Sequence, residues 1–218
     1  LMMALTFATG IVDAVGYLAL NHVFIGNMTG NIVLLGMAVA GGNQLPVTGP
    51  FAALMCFALG AAFSGLVLRD QPARWTRSVT VLLLTTGIIL AGTALMAALA
   101  PSQLTSKTQL LMSSVAALAM GIQALVARKL AVREVTTVVV TSTLTALAGE
   151  LFTRSAKNAV LNRRSIAILL ILLGATAGTL LLHLSTAWAL AAAGMVLLLV
   201  ACLGHWSTKY TARAISAA

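Results

Sequence analysis

Asp13 is the residue on which any chemistry in this sequence turns. It is the one acidic residue in an apolar run reaching from Met2 to Leu20. At 1.5 Å per residue it lies ~16 Å into that run, close to the middle of a bilayer core ~30 Å thick. An ionised carboxylate at that depth costs at least ~2.5–3.5 kcal/mol on insertion scales, so the group must be protonated, paired or facing water. Two roles fit. A carboxyl that alternates between charged and neutral forms carries protons, whereas one that stays charged caps the interrupted backbone of a neighbouring segment.

A polar knot, Asn27-Met28-Thr29-Gly30-Asn31, follows. A helix starting here offers unpaired N–H groups and a positive dipole end to an anion or a carbonyl oxygen, and Gly30 permits close backbone approach. Ordinary N-capping by Asn or Thr accounts for the same residues. A fainter version recurs in the second half of the chain. There Gln123 stands in an apolar run roughly where Asp13 stands in the first half, and Thr136, Thr137, Thr141 and Thr143 follow it. Glutamine offers a donor and an acceptor without charge. Asp13, Asn27, Thr29, Gly30, Asn31, Gln123, Thr137 and Thr141 are thus the candidate solute- or ion-binding residues.

The remaining polar residues carry less. His22, beside the knot, reads as an interfacial loop residue, with a pH-sensitive gate as the alternative. His183 and His205 fall at the ends of apolar runs and read as interfacial. Glu150 with Arg154 makes an i,i+4 pair, and Glu134 adjoins Arg133; both read as structural. Cys56 and Cys202 have no CxxC or Cys/His spacing and read as small buried hydrophobes. No Walker loop, HExxH, GxSxG or dinucleotide fingerprint occurs. An enzyme reading has no support, and neither a cofactor nor a metal is implied.

The elements that must position these residues are membrane helices. Only 8% of the 218 residues are charged and 60% are hydrophobic, against roughly 25% charged in a soluble domain. The apolar runs are continuous, without the alternation of a transmembrane barrel, so the fold class is all-α. The net charge of +9 sits in short blocks between apolar runs, where it acts as a topological signal and contacts lipid headgroups; nucleic acid is not an expected partner. Residues 1–20 lack the basic n-region and A-x-A site of a signal peptide.

Six runs are long enough to span: 2–20, 48–68, 78–100, 108–127, 165–184 and 186–204. Two shorter ones, 27–42 and 135–151, begin in polar residues. If all eight cross, basic residues divide six to seven between the two sides. If the short runs dip in and return, every basic residue except Lys107 faces one compartment, twelve against one. The positive-inside rule prefers the second arrangement: it fixes the second half directly, the first half inherits it by analogy between the repeats, and both termini are then cytoplasmic. Residues 1–104 and 105–218 then each read span, re-entrant, span, span, and the second copy is inverted relative to the first. Gly10-Ile11 falls on Gly121-Ile122, and Thr29-Gly30-Asn31-Ile32 on Thr141-Ser142-Thr143-Leu144. Gly60/Ser64 and Gly174/Gly178 are small pairs at helical spacing that let helices approach within a chain.

The pattern Gly10-x-x-Asp13-Ala14, then Val23-Phe24-x-x-Asn27-Met28-Thr29-Gly30-Asn31, resembles the YoaK-like family. Met120-Gly121-Ile122-Gln123 and Thr136-Thr137…Thr141 resemble that family's second signature, although this chain has Thr141-Ser142 where relatives often have Thr-Gly. The resemblance covers nearly the whole chain. It implies a multi-span protein of the bacterial inner membrane and supplies no substrate. From the residues themselves, the expectation is a secondary transporter of a small polar solute, proton-coupled through Asp13. The alternatives are a passive channel on the same frame and a membrane scaffold or regulatory protein. Oligomeric state is not legible.

Overall fold

A computed structural model describes residues 1–42, 47–100, 104–130, 145 and 163–216. Among these residues stand seven helices: α1 (Met2–Ala19), α2 (Met28–Val39), α3 (Thr48–Leu68), α4 (Arg77–Leu99), α5 (Ser106–Lys129), α6 (Arg163–Leu182) and α7 (Thr186–Ser216). All except α2 are long and apolar enough to cross a membrane, and each matches an expected span to within about two residues at most ends. Local chemistry sets several boundaries. Thr76 caps α4 by accepting from the Val79 N–H at 3.4 Å, and Thr105 caps α5 by accepting from the Thr108 N–H at 3.3 Å, in the usual manner of threonine at a helix start. Pro50 lies in the first turn of α3, where its missing N–H removes no intrahelical bond. Apart from Thr145, the expected re-entrant run 135–151 lies outside the described residues, and Thr137 and Thr141 with it.

The chief packing partners are α1 with α6, α3 with α5, and α4 with α7; α1 with α7 and α4 with α5 come next. These pairings among the six long helices are unchanged when α1 is exchanged with α5, α3 with α6 and α4 with α7.

Glycines set the crossings. A methyl on Gly10 would stand 2.8 Å from the Ala175 nitrogen, and one on Gly178 would stand 2.9 Å from the Ile11 Cα. A methyl on Gly121 would stand 2.9 Å from the Phe57 carbonyl carbon, and one on Gly65 would lie 3.3 Å from Leu125. Residue numbers rise together in both pairs, so α1 runs parallel to α6, and α3 parallel to α5. At the third crossing Gly87 faces Gly194 and Leu198, and Gly204 faces Trp75, so α4 and α7 are antiparallel.

The ends follow. Asn21, just past α1, donates from Nδ2 to the Ser106 carbonyl at 3.3 Å, and Gly49 at the start of α3 lies against Asn21 and Val23. The end of α1 and the starts of α3 and α5 therefore share one end of the bundle. Residues 21–47 leave that end and return to it, as the analogy between the two halves anticipates. At the other end lie the α3–α4 connection, the C-terminal ends of α5 and α7, and the N-terminal ends of α1 and α6. Among the described residues this second end carries every basic residue except Lys107, which stands at the start of α5.

Candidate functional site

The site grows from the way α1 stops. Asn21 and His22 take left-handed backbone angles, φ 59° and 54°, a region that asparagine and histidine enter more readily than most residues. The chain reverses there and runs back along the helix it has just left. The Val23 N–H donates to the Gly16 carbonyl at 3.2 Å, sharing that acceptor with the Leu20 N–H. Gly16 makes this possible, because a methyl there would meet the Val23 carbonyl and stand 2.6 Å from the Ile25 side chain. Residues 23–27 thus descend beside α1 without regular secondary structure, bending at Ile25 and Gly26 one turn or more below its end, with no strand to pair with. Their backbone groups must find partners or bear the full desolvation penalty.

Two side chains meet that need. Asp13 Oδ1 accepts from the N–H groups of Ile25 at 2.8 Å, Gly26 at 2.7 Å and Asn27 at 3.3 Å, and its Oδ2 accepts from Asn27 Nδ2. The carboxyl is buried in α1. A carboxylate only accepts, so it can serve four donors at once where an amide or hydroxyl could not. Successive N–H groups converging in this way make an anion nest, and here the chain supplies its own anion.

Asn31 does the corresponding work from α2. Its Oδ1 accepts from the Phe24 N–H at 2.8 Å while its Nδ2 donates to the Phe24 carbonyl at 2.6 Å, as a paired strand would. Asn31 is the single buried residue of α2. Gly30 lies under the Phe24 ring, where a methyl would stand 2.6 Å from Cε2, and that ring tilts against Tyr17 at 5.2 Å. Asn27 occupies the N-cap position of α2 without a side-chain cap bond, since its amide reaches back to Asp13. The sequence admits an anion site or plain N-capping at this knot; the structure shows donors already claimed by α1. Thr29 is exposed and takes no part in the cluster.

Gln123 reaches the same region from α5. It is 5% exposed, and its Nε2 donates to Thr9 Oγ1 at 3.1 Å and to the Leu5 carbonyl at 3.4 Å. Its Oε1 is buried and has no hydrogen-bond partner among the described residues. Gly26 ties this corner to the nest: a methyl on it would stand 2.6 Å from Thr9 Cγ2, 3.5 Å from Met120 Cε and 3.6 Å from Asp13 Oδ1. The break in the chain is therefore clasped between α1 and α5. Of the candidates read from the sequence, Asp13, Asn27, Gly30 and Asn31 form one cluster, and Gln123 joins it through Thr9.

Thr9 and Phe24 are not among those candidates. Thr9 precedes Asp13 by four residues and so shares its helix face, a signal present in the sequence. Phe24 is drawn in through its backbone, which side-chain identity does not announce. His22 is exposed and sits edge-on to Tyr17 at 5.4 Å, at the end of the bundle.

A family described as "Protein of unknown function (DUF1275)" matches residues 1–203. The UPF0700 transmembrane protein YoaK of Bacillus subtilis (strain 168) is 36% identical over 186 residues, which cover 80% of this chain and 80% of that protein. No solved structure matches. A transmembrane relative and six membrane-length apolar helices together make this a multi-pass membrane protein.

Proposed function

We propose, for a chain that belongs to the DUF1275 family of unknown function, that it is a secondary transporter of a small polar solute and not an enzyme. One observation carries the reading. The backbone between α1 and α2 is broken beside the middle of a membrane-length helix, and the break is held open by a buried carboxylate instead of being closed into a continuous helix. Irregular backbone at such depth is tolerated where it lines a solute path or is buried in protein, and discontinuous helices near the midplane are how many transporters build their sites.

The exchangeable helix pairings support an inverted frame of two halves, 1–104 and 105–218, able to rock about a central site. The clustering of basic residues supports a bacterial inner-membrane orientation with the termini in the cytoplasm. The bond pattern around Asp13 favours a second reading of that residue, as the anchor of the re-entrant segment and not a proton carrier, in which case the frame serves equally as a passive channel.

The deciding experiment uses purified protein in sealed vesicles, following uptake of small polar solutes with and without an imposed pH gradient. Wild-type protein is expected to accumulate solute against its gradient. Loss of the pH dependence in Asp13→Asn, with flux down a solute gradient retained, would assign proton coupling to Asp13. Flux indifferent to the pH gradient in both proteins would make the protein a channel.

A further inference from the structure

The chemistry left unsatisfied at the break specifies what kind of solute it takes. A broken helix at mid-membrane is ordinarily a place for an anion, because its free N–H groups and dipole end attract negative charge. Here that capacity is already taken up. The N–H groups of Ile25, Gly26 and Asn27 all point at Asp13, the Asn27 amide does as well, and the Gly30 N–H goes to the Asn27 carbonyl at 3.2 Å. An incoming anion would meet a buried carboxylate whose donors are engaged.

The open valence lies on the opposite wall and has the opposite sense. The Leu5 carbonyl can only accept, and it already receives the Thr9 hydroxyl at 2.9 Å. The amide nitrogen of Gln123 is therefore the end that must face Leu5 and Thr9, which settles the orientation of the side chain. Its oxygen is turned away from both, is buried, and meets no donor among the described residues. Buried acceptors without a donor are rare and costly, and this one stands on the helix that closes over the break.

We propose that the solute of this site is a small hydrogen-bond donor, neutral or cationic (an alcohol, an amide or a protonated amine), received by Gln123 Oε1 on α5. The proposal rests on the transport reading above and narrows it: anions are refused, and Gln123 is a ligand to the solute where a purely structural role would need only its nitrogen.

The test compares wild type with Gln123→Leu and Gln123→Met in sealed vesicles. One panel contains urea, acetamide, glycerol and methylammonium; the other contains phosphate, sulfate and chloride. Unfolding temperature in detergent is measured for each variant. Wild-type vesicles should exceed protein-free vesicles for at least one member of the donor panel and for no anion. The variants should lose that flux at least about ten-fold while unfolding within a few degrees of wild type; if Gln123→Leu packs poorly, Gln123→Met keeps the volume and flexibility of the original side chain. Anion flux, or donor flux undiminished in a folded variant, would overturn the donor assignment and leave the transport reading standing. Variants that lose flux only in proportion to a lowered unfolding temperature would overturn the ligand role and make Gln123 structural. Wild-type vesicles no more permeable than protein-free ones to both panels would overturn the transport reading, and this inference with it.

Discussion

Asp13 holds the break together through geometry that an amide can only half reproduce. In Asp13→Asn the remaining oxygen can still receive the three N–H groups, but the new Nδ2 faces the Asn27 amide, donor against donor. That substitution should cost ~1 kcal/mol, the scale of one lost hydrogen bond. Asp13→Ala removes the shared acceptor of all four donors and should cost several times more, since each unsatisfied buried donor, such as the Ile25 or Gly26 N–H, is worth ~1–3 kcal/mol. The double variant Asp13→Asn/Asn27→Asp restores one donor and one acceptor to that pair. It should unfold in detergent closer to wild type than Asp13→Asn does; a double variant less stable than the single one would sink the account of this contact. Asn31→Leu keeps the volume but strands both the Phe24 N–H and its carbonyl, and should cost ~2 kcal/mol or more, read as a lowered unfolding temperature. A lone carboxylate in an apolar run is legible from the sequence. Its partners are not, because they are backbone groups carried to it by a reversal at Asn21 and His22 whose angles nothing in the hydropathy records.

Among the elements, the six spans are the most legible part of the chain, since an apolar run of about 20 residues states its own length. α7 is the exception. Its apolar run ends near residue 204 but the helix continues to Ser216, because hydropathy registers membrane and not helix. The position of α2 is legible too, but not its tether, a single buried asparagine. The crossings are visible only as small residues, without their partners. Those partners give a prediction. Gly121→Ala drives a methyl into the Phe57 carbonyl, and Gly10→Ala does the same at Ile171. Both press on backbone that cannot swing aside, so each should lower the unfolding temperature. A methyl added to Gly92 in α4 would meet nothing within 4 Å, so Gly92→Ala should be neutral or stabilising by up to ~1 kcal/mol, from propensity alone. Equal behaviour of Gly121→Ala and Gly92→Ala would refute the close crossing.

At the scale of the molecule, the decisive expectation is that residues 21–47 begin and end on one face. With Cys56 and Cys202 replaced by alanine, single cysteines at Asn21, Thr48 and Ser106 should react with an impermeant maleimide from the same side of intact vesicles, and a cysteine at Ala73 from the other. Labelling of Asn21 and Thr48 from opposite sides would make the segment containing α2 a full crossing and dismantle the arrangement. Charge placement does not reach this segment directly, since no lysine or arginine precedes Arg69; the expectation comes from the second half by analogy between the repeats. Neither tells which helix leans on which.

That pairing has a consequence for how the protein is made. A ribosome releases residues 1–104 before 105–218, yet α1 leans on α6 and α3 on α5, so the first half enters the lipid with its principal faces bare. Gly10 and Gly60 wait, as open notches, for helices not yet synthesised. During that interval the nascent half is a substrate for quality-control proteases, and any pause in translation before α5 lengthens its exposure. Expressed alone, residues 1–104 should be degraded. Expressed together with 105–218 as two separate chains, they should be rescued, because what each half lacks is the other half and not the peptide bond that joins them.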